Sequence, residues 1–456
     1  MNEILNYIDS NKDNFLGELI EFLKIPSISS EEKYKPDVLK AADWLANHIK
    51  SIGISDVKVH ETEGHPIVFA QWLEAGENAP TVLVYGHYDV QPVDPLELWD
   101  SPPFEPVIKG TKIYGRGTCD DKGQLFAHLK SIESHLKING KLPVNIKLIF
   151  EGEEECGGEA IEHFVKTNPE LLKCDTVLVS DTEWYADGLP SICYGLRGIS
   201  YFEITVTGPD RDLHSGTYGG TLDNPVNTLC WLVSQMHDKY GRVTIPGFYD
   251  SVIPLTQRER DGYKLLPFNE EHYCKELGIK ATNGEFGYTT LERAWARPTL
   301  DLNGIFGGYT GDGAKTIIPS KASAKLSMRL VPNQTHDEIA AKFEDYIQKL
   351  APETVKVDVK YLHGGNPFMV GLESKSISAA LEALEEAVGV KPVFMRDGGS
   401  IPIVGLFQII LNAPTVLMGL GLPDDNIHSP NEKFDLRNFF SGIKASAIFL
   451  DKLAKI

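Results

Sequence analysis

Cysteine is scarce in this chain, and its few copies stand apart. The six cysteines in 456 residues, at positions 119, 156, 174, 193, 230 and 274, form no Cys-x-x-Cys pair. This argues against a disulfide framework and against a thiolate metal site; reduced thiols of this kind fit a cytoplasmic protein. Positive charge is also in short supply. Against 64 Asp and Glu there are 44 Lys and Arg, a net charge of −20, which argues against nucleic acid as a partner, since phosphate binding needs a basic face. Long apolar runs are missing as well: nothing approaches the roughly 18 uninterrupted apolar residues of a membrane span. The start lacks a basic n-region. Ile4, Ile8, Leu16, Leu19, Ile20 and Leu23 instead recur at helical spacing, which predicts an amphipathic helix rather than a signal peptide. No internal repeat or low-complexity segment occurs.

What is present describes a globular protein. The apolar share of 42% and charged share of 24% are those of a folded protein, and the length calls for two domains. Residues 1–193 alternate helical and strand-like segments, as a parallel-rich sheet requires. A helix is expected from Val38 to Ile52 with Gly53 as its C-cap, and another after Lys122-Gly123 with Leu125, Leu129, Ile132 and Leu136 on one face. Residues 194–365 read differently, with half-exposed strands near Tyr201 to Val206 and Ala322 to Arg329. There Thr335 and Glu338 suggest a capping box for a following helix. The alternation returns over 366–456, with a helix from Ile377 to Val388, a strand from Thr415 to Met418 and a helix from Phe439 to Leu453. The expected fold is α/β: a catalytic domain with a parallel-rich mixed sheet flanked by helices, built from both ends of the chain around an inserted α+β domain. Residues 244–300 have weak periodicity and are not placed.

Three apolar runs end in side chains that suit a metal. Thr81 to Tyr85 leads into Gly86-His87-Tyr88-Asp89, Val144 to Phe150 into Glu151-Gly152-Glu153-Glu154-Glu155, and Thr176 to Ser180 into Asp181. Sites in open α/β sheets form outside the carboxyl ends of strands. A strand's period of two lets His87 and Asp89 share a face, so the carboxylate can fix the imidazole tautomer. Two further regions offer ligands: the loop Gly115-Arg116-Gly117-Thr118-Cys119-Asp120-Asp121-Lys122-Gly123, and His428-Ser429-Pro430-Asn431-Glu432. Histidine and carboxylate donors without sulfur suit zinc, and also manganese or cobalt. Asp120-Asp121 also reads as a helix N-cap, and the other histidines, among them His48 and His128, as structural or surface residues.

In their order and spacing these motifs, with Asp212-Leu213-His214-Ser215-Gly216 and Ser327-Met328-Arg329-Leu330-Val331-Pro332, resemble the M20 family of two-metal peptidases, and most nearly its carnosinase-type dipeptidase branch. The resemblance spans essentially the whole chain. It implies that His87 and Asp181 bind one ion, Glu155 and His428 the other, and that Asp120 bridges them. Asp89 would orient His87, and Glu154 would be the general base. With three consecutive glutamates, a shift by one residue would change the assignments of Glu154 and Glu155. The resemblance further makes the inserted domain a lid and dimerisation domain. His214 would then reach the neighbouring subunit's site in a homodimer, and Arg329, Gly399 and Ser400 would hold the substrate carboxylate. Cys119 stands where a small hydroxyl residue is expected.

The expected activity is hydrolysis of dipeptides or similarly short peptides with a free C-terminal carboxylate. An N-acyl amino acid deacylase on the same scaffold is the alternative. A catalytically dead binding protein is disfavoured, because all seven metal-site positions hold competent residues.

Overall fold

Asn145–Glu151, Thr81–His87, Thr176–Val179 and Thr415–Leu417 lie side by side as parallel strands in the computed structural model, which describes residues 1–456. All of their residues except Thr81 are buried. Strands covered on both faces read as continuous Val, Ile and Leu runs, and these do. Antiparallel neighbours extend the sheet: Ile67–Trp72 and then Asp56–His60 on one side, Ser191–Leu196 on the other. The result is the mixed, parallel-rich sheet expected. Register brings the carboxyl ends to one edge, since His87 faces Glu151, Tyr85 faces Val179, and Val179 faces Leu417.

The helix Lys122–Asn139 is buried from Lys122 through His135 and stops at Gly140, whose φ of 67° supplies the left-handed cap. Its predicted apolar stripe accounts for one face only. The rest is buried because its polar groups find partners: His128 bonds Ser180 Oγ at 2.8 Å and Ser446 Oγ at 2.9 Å, and Lys130 donates to Glu133 at 2.7 Å and to Glu18. The single N-terminal helix expected is two, Asn2–Ser10 and Lys12–Leu23. They break at Asn11, whose side-chain amide donates to Tyr7 O at 2.8 Å, and Phe15 rather than Leu16 is buried.

By its contacts the chain divides into two units. One comprises Met1–Tyr194, Val370–Met395 and Leu406–Ile456; the other comprises Gly195–Met369 and Arg396–Gly405. The short return of residues 396–405 to the second unit departs from the reading of 366–456 as one catalytic piece. It is held there by Arg197, whose N–H donates to Gly399 O at 3.0 Å and whose carbonyl accepts from Ser400 Oγ.

The second unit is a four-stranded antiparallel sheet in the order Thr299–Gly307, Lys321–Leu330, Gly198–Thr207, Lys356–Gly365. Strand Gly198–Thr207 alternates buried and half-buried residues, the period-two pattern of one covered face. Phe202, Ile204 and Val206 pack with Leu229 and Leu232 of helix Pro225–Ser234 and with Ile339, Phe343 and Ile347 of helix His336–Leu350. Half of the predicted capping box exists: Thr335 accepts from the Glu338 N–H, while the Glu338 carboxylate pairs with Lys342. Within 244–300 there are three short helices, Gln257–Leu265, Glu270–Glu276 and Thr290–Ala296. No helix is long and apolar enough to cross a membrane.

Candidate metal centre

One carboxylate carries an imidazole on each of its oxygens. Asp120 Oδ1 lies 3.0 Å from His87 Nε2, and Asp120 Oδ2 lies 2.9 Å from His428 Nε2. His428 Nε2 is also 3.2 Å from Glu155 Oε2, and His87 Nε2 is 3.9 Å from Asp181 Oδ2. On its other side the His87 ring turns Nδ1 toward Asp89, 3.1 Å from the backbone oxygen and 3.4 Å from Oδ1. That leaves Nε2 facing Asp120 and Asp181. Asp89 Oδ2 in turn accepts the Glu155 N–H at 3.1 Å, tying the first strand's loop to the acidic turn.

Local sequence explains each placement. His87 is the last residue of its strand, and Asp181 lies two residues beyond the end of its own. Glu154 and Glu155 sit on the one-turn 3₁₀ helix Glu154–Cys156 just after Asn145–Glu151. Glu153 is turned away, accepting the N–H groups of His65 and Ala160 at 2.8 and 3.1 Å. Asp120 ends a tight loop that needs glycine: a Cβ on Gly123 would stand 1.9 Å from Thr118 O. Asp121 occupies the N-cap of Lys122–Asn139 without a side-chain capping bond; its Oδ2 instead accepts the His87 N–H at 3.2 Å. Cys119 points away from the cluster, its thiol donating to Asp425 Oδ2 at 3.1 Å.

The charges are crowded. Burial would depress the His87 imidazole, but Asp120, Asp89 and Asp181 raise it well above its usual value. Bonds to Asp120 and Glu155 lift His428 to about 11. Burial would push Asp120 up, yet His428 and His87 hold it far below the usual carboxylate range. Glu155 rises to about 7 through burial and the Asp120 charge, and Glu154 rises through burial and the charges of Asp181, Glu155 and Asp120. Acids that resist ionisation beside imidazoles that resist losing a proton mark a place in want of cationic charge.

The donor set fits divalent ions. Ligand atoms of His87, Asp120 and Glu155 lie within 4.8 Å of one another, and nitrogen and oxygen donors suit zinc, manganese or cobalt. A second group, Glu18, His48 and Glu133, is equally close-set, but there the Lys130 ammonium already bonds both carboxylates.

The second unit carries the remaining candidates. Arg329 Nη1 donates to Ser400 Oγ at 2.9 Å, so the cation and the Gly399-Ser400 loop are together. His214 is in a two-residue strand paired with Ile317–Ile318, exposed, its Nδ1 accepting the Gly216 N–H at 3.0 Å. Sequence reasoning missed Gln91, which donates to Glu155 Oε2 at 2.8 Å, and Arg197, whose Nε donates to Gly398 O at 3.0 Å. Gln91 lies inside the first motif; nothing in the sequence marks Arg197.

Residues 83–452 match the family described as peptidase family M20/M25/M40. The chain belongs to this family. The peptidase is 34% identical over 472 residues to the Cys-Gly metallodipeptidase dug1 of Schizosaccharomyces pombe, covering 100% of this chain and 99% of that protein. It is 32% identical to the human Beta-Ala-His dipeptidase, covering 100% and 93%. The solved structure of the di-peptidase Dug1p from Saccharomyces cerevisiae superposes with a TM-score of 0.86 at 31% identity, covering 100% and 98%. These relatives place the peptidase in the carnosinase-type dipeptidase branch, and its fold and candidate metal cluster are those of an M20-type metallopeptidase.

Proposed function

We propose that this enzyme hydrolyses dipeptides or similarly short peptides with a free C-terminal carboxylate at a two-metal centre, zinc being the best match to the donors. The observation that carries the reading is Asp120, whose two oxygens face His87 and His428 separately, the arrangement of a carboxylate shared by two ions. In this reading His87 and Asp181 hold one ion, Glu155 and His428 the other, and Asp89 keeps the His87 ring oriented. Ions bound there supply Lewis acidity toward a carbonyl oxygen and acidify water. Glu154 takes the proton of the attacking water and returns it to the leaving amine. A carboxyl whose proton affinity is raised by burial and by Asp181, Glu155 and Asp120 is suited to carrying that proton between the two steps.

Arg329, with Ser400 and the Gly399 backbone, recognises the substrate carboxylate, for which a guanidinium fork is well shaped. His214 stabilises the developing oxyanion from the partner copy of a homodimer. The pairing surface is the edge strand Thr299–Gly307, which is paired on one side only and exposes Leu302, Ile305 and Phe306. Unpaired edges carrying apolar side chains invite a second chain.

The test is a hydrolysis assay on protein stripped by chelation and then restored with zinc or manganese. A pool of free dipeptides is run beside a pool of N-acetyl amino acids. Metal-dependent release from dipeptides alone supports the proposal. Release from acetylated substrates instead would make the enzyme a deacylase.

A further inference from the structure

Arg116 and Glu432 belong to the sequence motifs yet have no part in the proposed chemistry. Both are buried, at 1% and 0% exposure. Arg116 Nη1 donates to Glu432 Oε2 at 2.9 Å, and Nη2 donates to Pro92 O at 2.9 Å. Glu432 employs both carboxylate oxygens. Oε2 also accepts the Gly117 N–H at 2.9 Å, while Oε1 accepts those of Cys119 and Asp120 at 3.0 and 3.2 Å. The Glu432 backbone oxygen accepts the Gly115 N–H at 2.9 Å.

Three segments meet at this pair. Pro92 follows His87 and Asp89, residues 115–120 end at Asp120, and Glu432 follows His428. The antiparallel pairing of Lys112–Tyr114 with Lys433–Asp435 brings two of these segments together, but it stops short of Asp120 and His428 and leaves out the Pro92 segment, so it cannot by itself set their spacing. A buried ion pair whose carboxylate also takes three backbone N–H groups can, because each group it abandons would be left unpaired away from water. The planar guanidinium has donors aimed in two fixed directions, which a lysine lacks.

We propose that the Arg116–Glu432 pair is a positioning device that sets the spacing of the segments bearing His87, Asp120 and His428, and thereby the metal affinity of the centre. This rests on the reading of those residues as ligands. Neither Arg116 nor Glu432 touches the reacting atoms.

The test compares zinc affinity, by competition with a chromophoric chelator, in wild type, Arg116→Lys, Glu432→Gln and Glu432→Asp. Circular dichroism and denaturant unfolding of the metal-free proteins are measured in parallel. Groups behind metal ligands typically tune affinity by about 10- to 100-fold, and a loss of that size is expected in variants whose metal-free fold is retained. Unchanged zinc affinity in folded variants, with only lowered metal-free stability, overturns the proposal. So does failure of even Glu432→Asp to fold, since the pair would then be a requirement of folding rather than a setting of the site. A wild type that binds no zinc fails the ligand reading instead, before any variant is compared.

Discussion

Tyr85 Oη donates a 2.7 Å hydrogen bond to Glu151 Oε1, and both side chains are buried. Burial lifts the Glu151 carboxyl to about 8 against the pull of this bond, and its other oxygen has no hydrogen-bond partner. Tyr85→Phe would leave both oxygens without a donor. Metal-free protein should lose about 1–3 kcal/mol of stability, read from denaturant unfolding. An unshifted midpoint would mean that the bond adds nothing net.

The acidic turn makes a sharper distinction between neighbours. Glu154→Gln should retain both ions and lose turnover by roughly 10²- to 10⁴-fold, the usual worth of a positioned acid–base group. Glu155→Gln should lose metal, since Glu155 is the one beside His428. Metal analysis and kinetics on the two variants decide the register; the opposite pattern would exchange the two roles.

His214→Ala is expected to collapse turnover while the metal content stays intact. If the residue acts across a dimer, re-forming mixed dimers from His214→Ala and Glu154→Gln should restore part of the rate. Neither variant would recover alone. Additive, inactive mixtures would confine His214 to its own subunit or remove it from the mechanism.

Arg329→Met should raise KM for dipeptides with a free carboxylate by roughly tenfold to a hundredfold, corresponding to about 1.5–3 kcal/mol for a charged hydrogen bond. Dipeptide amides should be affected little. Equal losses on acids and amides would refute carboxylate recognition at this residue.

Acid sensitivity should come in part from His128. Burial lowers its pKa from 6.5 to about 4, so the unfolded chain binds this proton more readily than the folded one. Its contribution to stability is therefore complete above pH 6.5 and is lost as pH falls toward 4, at about 1.4 kcal/mol per pH unit. His128→Gln should unfold more easily at neutral pH yet show a shallower decline over that window. Parallel wild-type and variant curves would exclude the assignment.

Much of the catalytic layout was legible because the central strands are buried on both faces. Their apolar runs stop abruptly where His87, Glu151 and Asp181 begin, and the Thr415 strand stood out for the same reason. The break at Asn11 was hidden, since apolar spacing continues through it. Helix Gln257–Leu265 buries only Tyr263, so it has no stripe to read. Its signal was local: Thr256 with Glu259, and likewise Thr289 with Glu292, form capping boxes visible as Thr-x-x-Glu. Arg116 and Glu432 are separated by 316 residues, and no periodicity can announce such a partnership. Arg197 was equally silent, because its role depends on a loop some two hundred positions away.

The strand Thr415–Leu417 lies between Thr176–Val179 and Ser191–Leu196 rather than at a sheet edge, and His428 comes later still. A chain emerging from the ribosome must therefore hold a slot open in its sheet until nearly the last residues are delivered. The four-stranded sheet of the inserted unit, whose strands end at residue 365, has no such wait. Under the proposed ligand set, a copy that stops short of His428 would lack one imidazole, and hydrolysis would be withheld from it without any separate inhibitor.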